Sequence, residues 1–310
     1  ISTFIIAINK IAPSRKKDVI ESVIQLGCEI LDTPSFDTWL NGQLEVKNLK
    51  KVNLEDLLGR DPISLDLEKI GNGLKDKVIL VTGAAGSIGS EIARQLTRFE
   101  PGMLLLVDQA ETPCFYLQEE LKKNNVKCNY KVIIEDVTRL DEMEKIFNDY
   151  RPEIVFHAAA YKHVSLMEEN PHEAIRVNVG GTKIVTDLAI KYEVEKFVMI
   201  STDKSVNPSS VMGASKRLCE KVVQSRAQAG GHKTQFIVTR FGNVMGSNGS
   251  VIPIFARQIE NGGPVTVTHP EVTRYFMTIP EACQLILQAG AITSEQGGKA
   301  EVYILKMGTP

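Results

Sequence analysis

Val78-Ile-Leu-Val-Thr-Gly83-Ala-Ala-Gly86-Ser-Ile-Gly89 runs from an apolar, β-branched stretch into a turn with three glycines. The first five residues have the composition of a strand covered on both faces. Gly83 permits the tight turn, Gly86 lets the backbone approach a pyrophosphate, and Gly89 lets the following helix lie close to the strand. The helix opening at Ser87 and Ile88 presents unpaired N–H groups and the positive end of its dipole to the phosphates. Strand, glycine turn and amphipathic helix in that order predict a dinucleotide-binding βαβ unit; a mere turn would not need the strand and helix around it.

The same rhythm continues on the C-terminal side. Apolar stretches at 103–108, 130–135, 154–159, 196–201 and 235–240 read as strands alternating with helical segments. Alternation of this kind predicts right-handed crossovers and a parallel sheet covered on both faces, an α/β, doubly wound, Rossmann-type fold. After about residue 245 the rhythm breaks, which suits a smaller C-terminal substrate lid. On the N-terminal side, residues 4–8 read as a strand. Pro13 opens a helix whose apolar stripe is Val19, Ile20, Val23, Ile24 and Leu26, and residues 28–31 read as a second strand. These elements suggest the end of a truncated α/β unit, with Trp39 as a packing residue. The polar stretch 55–62 then leads to a boundary near Gly71-Asn-Gly73. The expectation is a truncated α/β segment and linker over 1–70 and an NAD-binding domain with its lid over 71–310. Beginning at Ile1 in a strand-like run and stopping at Gly308-Thr-Pro310, the chain reads as a piece of a longer protein.

Composition narrows the partners. The 36 Lys and Arg nearly balance 38 Asp and Glu, so no basic excess calls for nucleic acid. Apolar runs such as Met103-Leu-Leu-Leu-Val107 are strand-sized, short of the roughly 18 residues of a membrane helix. The cysteines at 28, 114, 128, 219 and 283 are scattered, odd in number and form no CxxC pair. That pattern points to reduced core thiols in the cytoplasm, and neither they nor the histidines have metal-ligand spacing.

Asp108 ends the second strand of the main pattern. An acid there can accept both hydroxyls of an adenosine ribose and repel a 2′-phosphate, and no arginine follows in Gln109-Ala-Glu, so NAD is favoured over NADP. Asp136 and Val137 end the third strand, where the adenine would lie. His157 is followed by Ala158, Ala159 and Ala160, small enough for the backbone to pass close under the cofactor. Tyr161-Lys162-His163 come next. Lys162 or His163 would reach a sugar or phosphate, unless the three form an ordinary surface loop.

With Asn178-Val-Gly-Gly-Thr182 and Lys216, these features resemble the extended short-chain dehydrogenase/reductase family. The chain is more closely similar to the large polysaccharide-biosynthesis UDP-N-acetylglucosamine 4,6-dehydratases. That resemblance is carried by Tyr161-Lys-His-Val164 with Leu166-Met-Glu168, Ser201-Thr-Asp-Lys204, Met212-Gly-Ala-Ser-Lys216, Arg240-Phe-Gly-Asn-Val244 with Gly249-Ser250, and Thr273-Arg-Tyr-Phe-Met277. It covers about residues 77 to 308, and Glu55-Asp-Leu-Leu-Gly-Arg60 resembles the segment joining this domain to the preceding one. In that family the preceding part includes membrane-spanning helices, so the resemblance implies a parent held at the cytoplasmic face of the inner membrane.

The resemblance implies NAD-dependent conversion of UDP-N-acetylglucosamine to its 4-keto-6-deoxy product for cell-surface polysaccharide or glycan synthesis. Oxidation at carbon 4 makes the carbon 5 proton acidic; a base must remove it and an acid must protonate the departing 6-hydroxyl. By resemblance, Asp203 is that acid and Lys204 that base. Lys216 shares a helix face with position 212, one turn earlier, and would grip the nicotinamide ribose. Position 212 is Met where a tyrosine-bearing relative has its proton-exchanging hydroxyl, and Met cannot exchange a proton at pH 7. The 4-hydroxyl proton must then go elsewhere, Asp203 through water being one route, with the acceptor left open and Thr202 hydrogen-bonded to the oxygen. Met212 is usual in the large dehydratases and argues against the tyrosine-bearing epimerases. Core packing in a non-catalytic NAD-binding relic is the other reading of Met212, and it leaves Asp203-Lys204 without a purpose. Asn243, Arg257 and Arg274 are expected at the substrate diphosphate, Arg274 being the stronger choice and Arg257 equally readable as a solvated face. Asn178 is expected to bond backbone. A homo-oligomer is left open.

Overall fold

The computed structural model describes residues 3–8, 11–33, 50–51, 66–247, 249–267, 269–291 and 299–307. Trp39 and the 55–62 stretch lie outside the described residues. At the N-terminal end, β1 (Thr3–Ile6), α1 (Pro13–Gln25) and β2 (Glu29–Asp32) form a βαβ unit, and β3 (Lys50–Lys51) runs antiparallel beside β2. Ile20 and Val23 pack with Ile6 and Ile30. Ile24 and Leu26, expected in the same stripe, are exposed. The small sheet offers α1 only a narrow contact face, and Leu26 lies past the last helical residue.

The glycines expected to mark a boundary fall inside α2 (Leu67–Leu74), which Asp66 caps by accepting from the Lys69 amide at 2.9 Å. Gly73 lies against residue 291, where a Cβ would make an ordinary contact, 3.6 Å from the Ala291 backbone. The repeating units follow. They are β4 (Val78–Thr82), α3 (Ser87–Leu96), β5 (Met103–Asp108), α4 (Glu111–Lys123), β6 (Tyr130–Ile134), α5 (Leu140–Tyr150) and β7 (Ile154–His157). Beyond a short α6 (Val164–Glu169), a π-helical stretch (Ala174–Gly180) runs directly into α7 (Gly181–Lys191). Then come β8 (Lys196–Thr202), α8 (Val211–Ala229) and β9 (Gln235–Phe241).

Seven parallel strands form one sheet in the order β12-β9-β8-β7-β4-β5-β6. Side-chain alternation along each strand sorts the apolar residues into two cores. Ile79, Val81, Leu104, Leu106 and Phe156 face α2, α3 and α4, whereas Leu80, Leu105, Val107, Val155 and Phe197 face α5, α7 and α8. Burial on both faces is why these strands are continuous apolar runs.

Past residue 242 lie β10 (Asn243–Val244), α9 (Val251–Glu260), β11 (Phe276–Met277), α10 (Ile279–Ala291) and β12 (Glu301–Ile304). β10 and β11 pair as a small parallel ribbon, and α9 buries none of its residues, as suits a peripheral lid. Less of this region stands apart from the sheet than a lid after residue 245 would require, however. α10 buries Ala282, Cys283, Ile286 and Leu287 in the main core, and β12 is a seventh sheet strand that the pattern reading did not anticipate. No helix among the described residues is long and apolar enough to cross a membrane.

Candidate functional site

Strand order reverses between β4 and β7, the point at which open α/β sheets leave a crevice beyond their carboxyl ends. A cavity of about 700 Å³ lies there, bounded by the residues that follow β4, β5, β7, β8 and β9. Its floor is the glycine turn. Gly83 has φ +66°, and a Cβ on it would lie 2.6 Å from the Ala159 amide nitrogen. A Cβ on Gly89 would lie 2.0 Å from the Gly83 carbonyl oxygen, so the helix could not begin where it does. Gly86, Ser87 and Ile88 line the cavity at the start of α3, and Ala158 and Ala159 line it opposite.

Asp108 is held by two backbone amides: Ala85 donates to Oδ2 and Ala110 to Oδ1, each at 3.0 Å. Its carboxylate therefore ties the glycine turn to the end of β5. Asp136 and Val137 also line the cavity. Burial alone would raise the Asp136 carboxyl, but the Thr138 amide at 2.9 Å and Arg176 Nη1 at 3.1 Å outweigh it and keep the group below the ordinary carboxylate range.

Behind the β7 end, His157 is fully buried between Thr82 Oγ1 (2.7 Å from Nδ1) and Thr182 Oγ1 (3.0 Å from Nε2). Thr182 gives its proton to the Asn178 carbonyl at 2.6 Å. Nε2 must therefore donate and Nδ1 accept, which fixes the tautomer. Burial, with Lys216 nearby, pushes this imidazole down to about 3. Asn178 bonds backbone as expected: its Oδ1 accepts from the Tyr161 amide at 2.8 Å. Its Nδ2 donates to the Tyr161 carbonyl and to Ser215 Oγ. That amide clamps the loop carrying Tyr161, Lys162 and His163, all of which line the cavity. The His163 ring rests on the backbone of Gly249, where a Cβ would lie 2.5 Å from its Cε1.

On the opposite wall, Thr202 ends β8 and Asp203–Ser205 form one tight turn. Lys204 Nζ donates to Asp203 Oδ1 at 3.1 Å and to Asn243 Oδ1 at 3.0 Å, and Thr202 Oγ1 donates to Asp203 Oδ1 at 2.9 Å. Thr202, Lys204 and Asn243 line the cavity; Asp203 does not, and its half-exposed carboxylate has Oδ2 3.4 Å from where a Cβ on Gly242 would be. Met212 and Lys216 lie one turn apart on α8, both buried and both lining the cavity. Met212 packs against Met167, Ala174 and Tyr161. Lys216 forms no hydrogen bond to another described residue, and its desolvation lowers its pKa.

The expected diphosphate contacts are not brought together. Asn243 is engaged with Lys204. Arg257 and Arg274 are exposed and do not line the cavity, and Arg274 Nη1 donates to the neighbouring Thr273 carbonyl at 2.8 Å. With nothing buried on α9 and no helix or strand among the described residues of 263–275, these arginines are not packed down onto the site. The sequence reading passed over Glu220, and it gave no role of their own to Gly213 and Ser250, which it named only within motifs; the buried Ser250 Oγ has no hydrogen-bond partner among the described residues. Glu220 left one signal: it falls on the buried stripe Met212, Ser215, Lys216, Cys219, Val223, where a carboxylate is out of place.

Residues 79–310 match a family model described as polysaccharide biosynthesis protein. The chain belongs to that family. Within it, the capsular polysaccharide biosynthesis protein CapD of Staphylococcus aureus is 52% identical over 311 residues, covering 100% of this chain and 51% of CapD. The chain thus spans about half the length of that relative. A UDP-glucose 4-epimerase of Rickettsia canadensis is 36% identical over 239 residues, covering 74% of the chain and 66% of the epimerase. Among solved structures, Pen from Bacillus thuringiensis is similar with a TM-score of 0.70 and 37% identity, over 76% of this chain and 72% of that one. The family match and CapD bear out the sequence resemblance, and the likeness to Pen bears out the doubly wound fold of the short-chain dehydrogenase/reductase type.

Proposed function

We propose that the protein is an NAD-dependent nucleotide-sugar 4,6-dehydratase acting on UDP-N-acetylglucosamine, a lyase supplying a 4-keto-6-deoxy sugar for polysaccharide assembly. The observation that carries this reading is that Lys204, paired with Asp203 at 3.1 Å, lines the same cavity as Met212, which stands where a tyrosine-bearing relative has its ring hydroxyl. An epimerase has to exchange the 4-hydroxyl proton in both directions and needs no base for carbon 5. Thioether sulfur cannot do the first, and a paired carboxylate and amine suit removal of the carbon 5 proton, which only the dehydratase requires. The choice of UDP and of the N-acetylhexosamine comes from the sequence resemblance.

The residues present fit a dinucleotide. The glycine turn leaves a cradle that side chains would fill, with the α3 N-terminus behind it. Asp108 would take the adenosine ribose, Asp136 and Val137 the adenine, and Lys216 the nicotinamide ribose. Bound there, NAD would supply reversible hydride acceptance, from carbon 4 of the sugar and back to carbon 6. Everything else falls to the chain. Thr202 holds the 4-oxygen, whose proton passes through water to Asp203. Lys204, once its own proton has gone to solvent, removes the one on carbon 5, the electrons moving into the ketone as an enolate, and returns a proton to carbon 5 when carbon 6 is reduced. Asp203 protonates the 6-hydroxyl, which leaves as water. Asn243 holds Lys204 by its amide oxygen, so the amine is oriented before substrate arrives. Lys162 and His163 take the diphosphate side of the cavity.

Incubation with UDP-N-acetylglucosamine and identification of the product by NMR tests the reading. A UDP-linked 4-keto-6-deoxy sugar supports it. Formation of UDP-N-acetylgalactosamine would mark an epimerase, and unaltered substrate with bound NAD would mark a non-catalytic module.

A further inference from the structure

We infer that Glu220 is a positioning residue that sets the Thr202-Asp203-Lys204 turn from behind; the inference rests on the acid–base role proposed for that turn. Glu220 lies on α8 one helical turn past Lys216, is completely buried, and does not line the cavity. Its Oε1 accepts from Ser201 Oγ and Ser205 Oγ, each at 2.7 Å. Those serines are the residue before Thr202 and the last residue of the turn. Arg240 Nε, on β9, reaches the same oxygen at 2.8 Å, and Arg240 Nη2 and Arg217 Nη1 hold Oε2. Ser205 Oγ is also 2.7 Å from the Thr202 carbonyl, so its single proton is shared between two acceptors across the turn. Burial alone would raise the Glu220 carboxyl, but Arg240, Ser201 and Ser205 outweigh it and hold the group at about 2, so it is a carboxylate.

A second contact acts on the same turn. A Cβ on Gly213 would lie 2.4 Å from the Lys204 carbonyl oxygen, so the first turn of α8 abuts the backbone of Lys204 itself. One rigid helix therefore carries Met212 and Lys216 toward the cavity, touches the turn at Gly213, and grips both of its ends through Glu220. The distance from the ribose-holding Lys216 to the acid–base pair is set by α8 as a single body. A carboxylate with five donors around it is worth more here than an apolar residue, because each serine bond has a direction and an apolar contact has none.

A plain ion pair bracing β8 to β9 through Glu220 and Arg240 would have a different signature. Ser205 is buried and does not line the cavity, so Ser205→Ala cuts the tie to the turn and leaves the Glu220–Arg240 pair whole. Ser205→Ala and Glu220→Gln are compared with the unmodified protein for kcat and KM on UDP-N-acetylglucosamine, NAD affinity, melting temperature, and deuterium uptake at carbon 5. The expected result is a kcat loss on the order of 10²-fold, the effect of misplacing a catalytic group by about 1 Å. KM and NAD affinity should be unchanged, and deuterium uptake should fall in step with kcat. Ser205→Ala at normal kcat overturns the inference even if Glu220→Gln does not fold, and so does a loss confined to substrate or NAD affinity. An unmodified protein that neither dehydrates nor exchanges overturns the functional reading itself.

Discussion

Replacing Gly213 by alanine sets two effects of opposite sign against each other. The position lies in the first turn of α8, where Ala favours the helix over Gly by about 1 kcal/mol. The new methyl would lie 2.4 Å from the Lys204 carbonyl oxygen and 3.2 Å from Ser210 Oγ, whereas ordinary contact begins at 3.4 Å. Relief requires the Lys204 backbone and α8 to separate by about 1 Å. Overpacking of this kind costs ~1–3 kcal/mol, so the net stability loss is roughly 0–2 kcal/mol. In a domain of this size the melting temperature should drop by no more than roughly 8 °C. Turnover is far more sensitive. A 1 Å displacement of the group acting at carbon 5 costs on the order of 10²-fold in rate. The assay is kcat for formation of the 4-keto-6-deoxy sugar at saturating UDP-N-acetylglucosamine, with a thermal melt and NAD content read on the same sample. Gly71→Ala is the matched control, because its methyl would meet Phe99 at an ordinary 3.6 Å on a helix away from the site. A Gly213→Ala protein within twofold of the normal kcat would refute the claim that α8 sets the position of the turn.

Lys204→Ala and Asp203→Asn should each lower dehydration by ~10²–10⁴-fold while NAD binding survives. They should fail at different stages: without Lys204, carbon 5 takes up no solvent deuterium, and without Asp203, exchange persists while water is not expelled. Normal exchange and turnover in Lys204→Ala would move the base elsewhere, with Tyr161 and His163 the next groups to test. Lys162 lines the cavity and Arg274 does not. Lys162→Ala should therefore weaken UDP-N-acetylglucosamine binding by about 1.5–3 kcal/mol, on the order of tenfold or more, and Arg274→Ala should leave it within twofold by calorimetry; the reverse ranking would return the diphosphate to the lid. His157 protonates near 3 in the folded protein and near 6.5 when unfolded, so the unfolded chain binds more protons in between and stability falls as pH drops from 6.5 toward 3. This one group should cost roughly 1.5–2 kcal/mol between pH 6.5 and 5. His157→Gln, which keeps a donor and an acceptor, should flatten the pH dependence of the urea midpoint over that range; an unchanged slope would assign the acid sensitivity to other groups.

The sequence by itself determined the doubly wound sheet and the floor of the cavity. Both rest on chemistry within a few residues: strands apolar on both faces, a glycine at φ +66° where a side chain would strike Ala159, and an acid at the end of the next strand. The four-residue step from Met212 to Lys216 is equally local, since one helical turn puts both on one face. Other features join residues far apart in the chain, and only the tertiary structure decided them. Lys204 meets Asn243 across 39 positions, and Glu220 meets Ser201 and Arg240 from 19 and 20 positions away. β12, four residues long at the sheet edge, becomes a strand by pairing with β9, and without that partner its pattern is too short to read. Arg257 and Arg274 sit on a segment that buries little, so their residue type suggested a place at the cavity, whose lining does not include them. Backbone preference and side-chain period are properties of short windows, whereas which strand ends converge on a helix such as α8 depends on the packing of whole crossovers, and no window contains that.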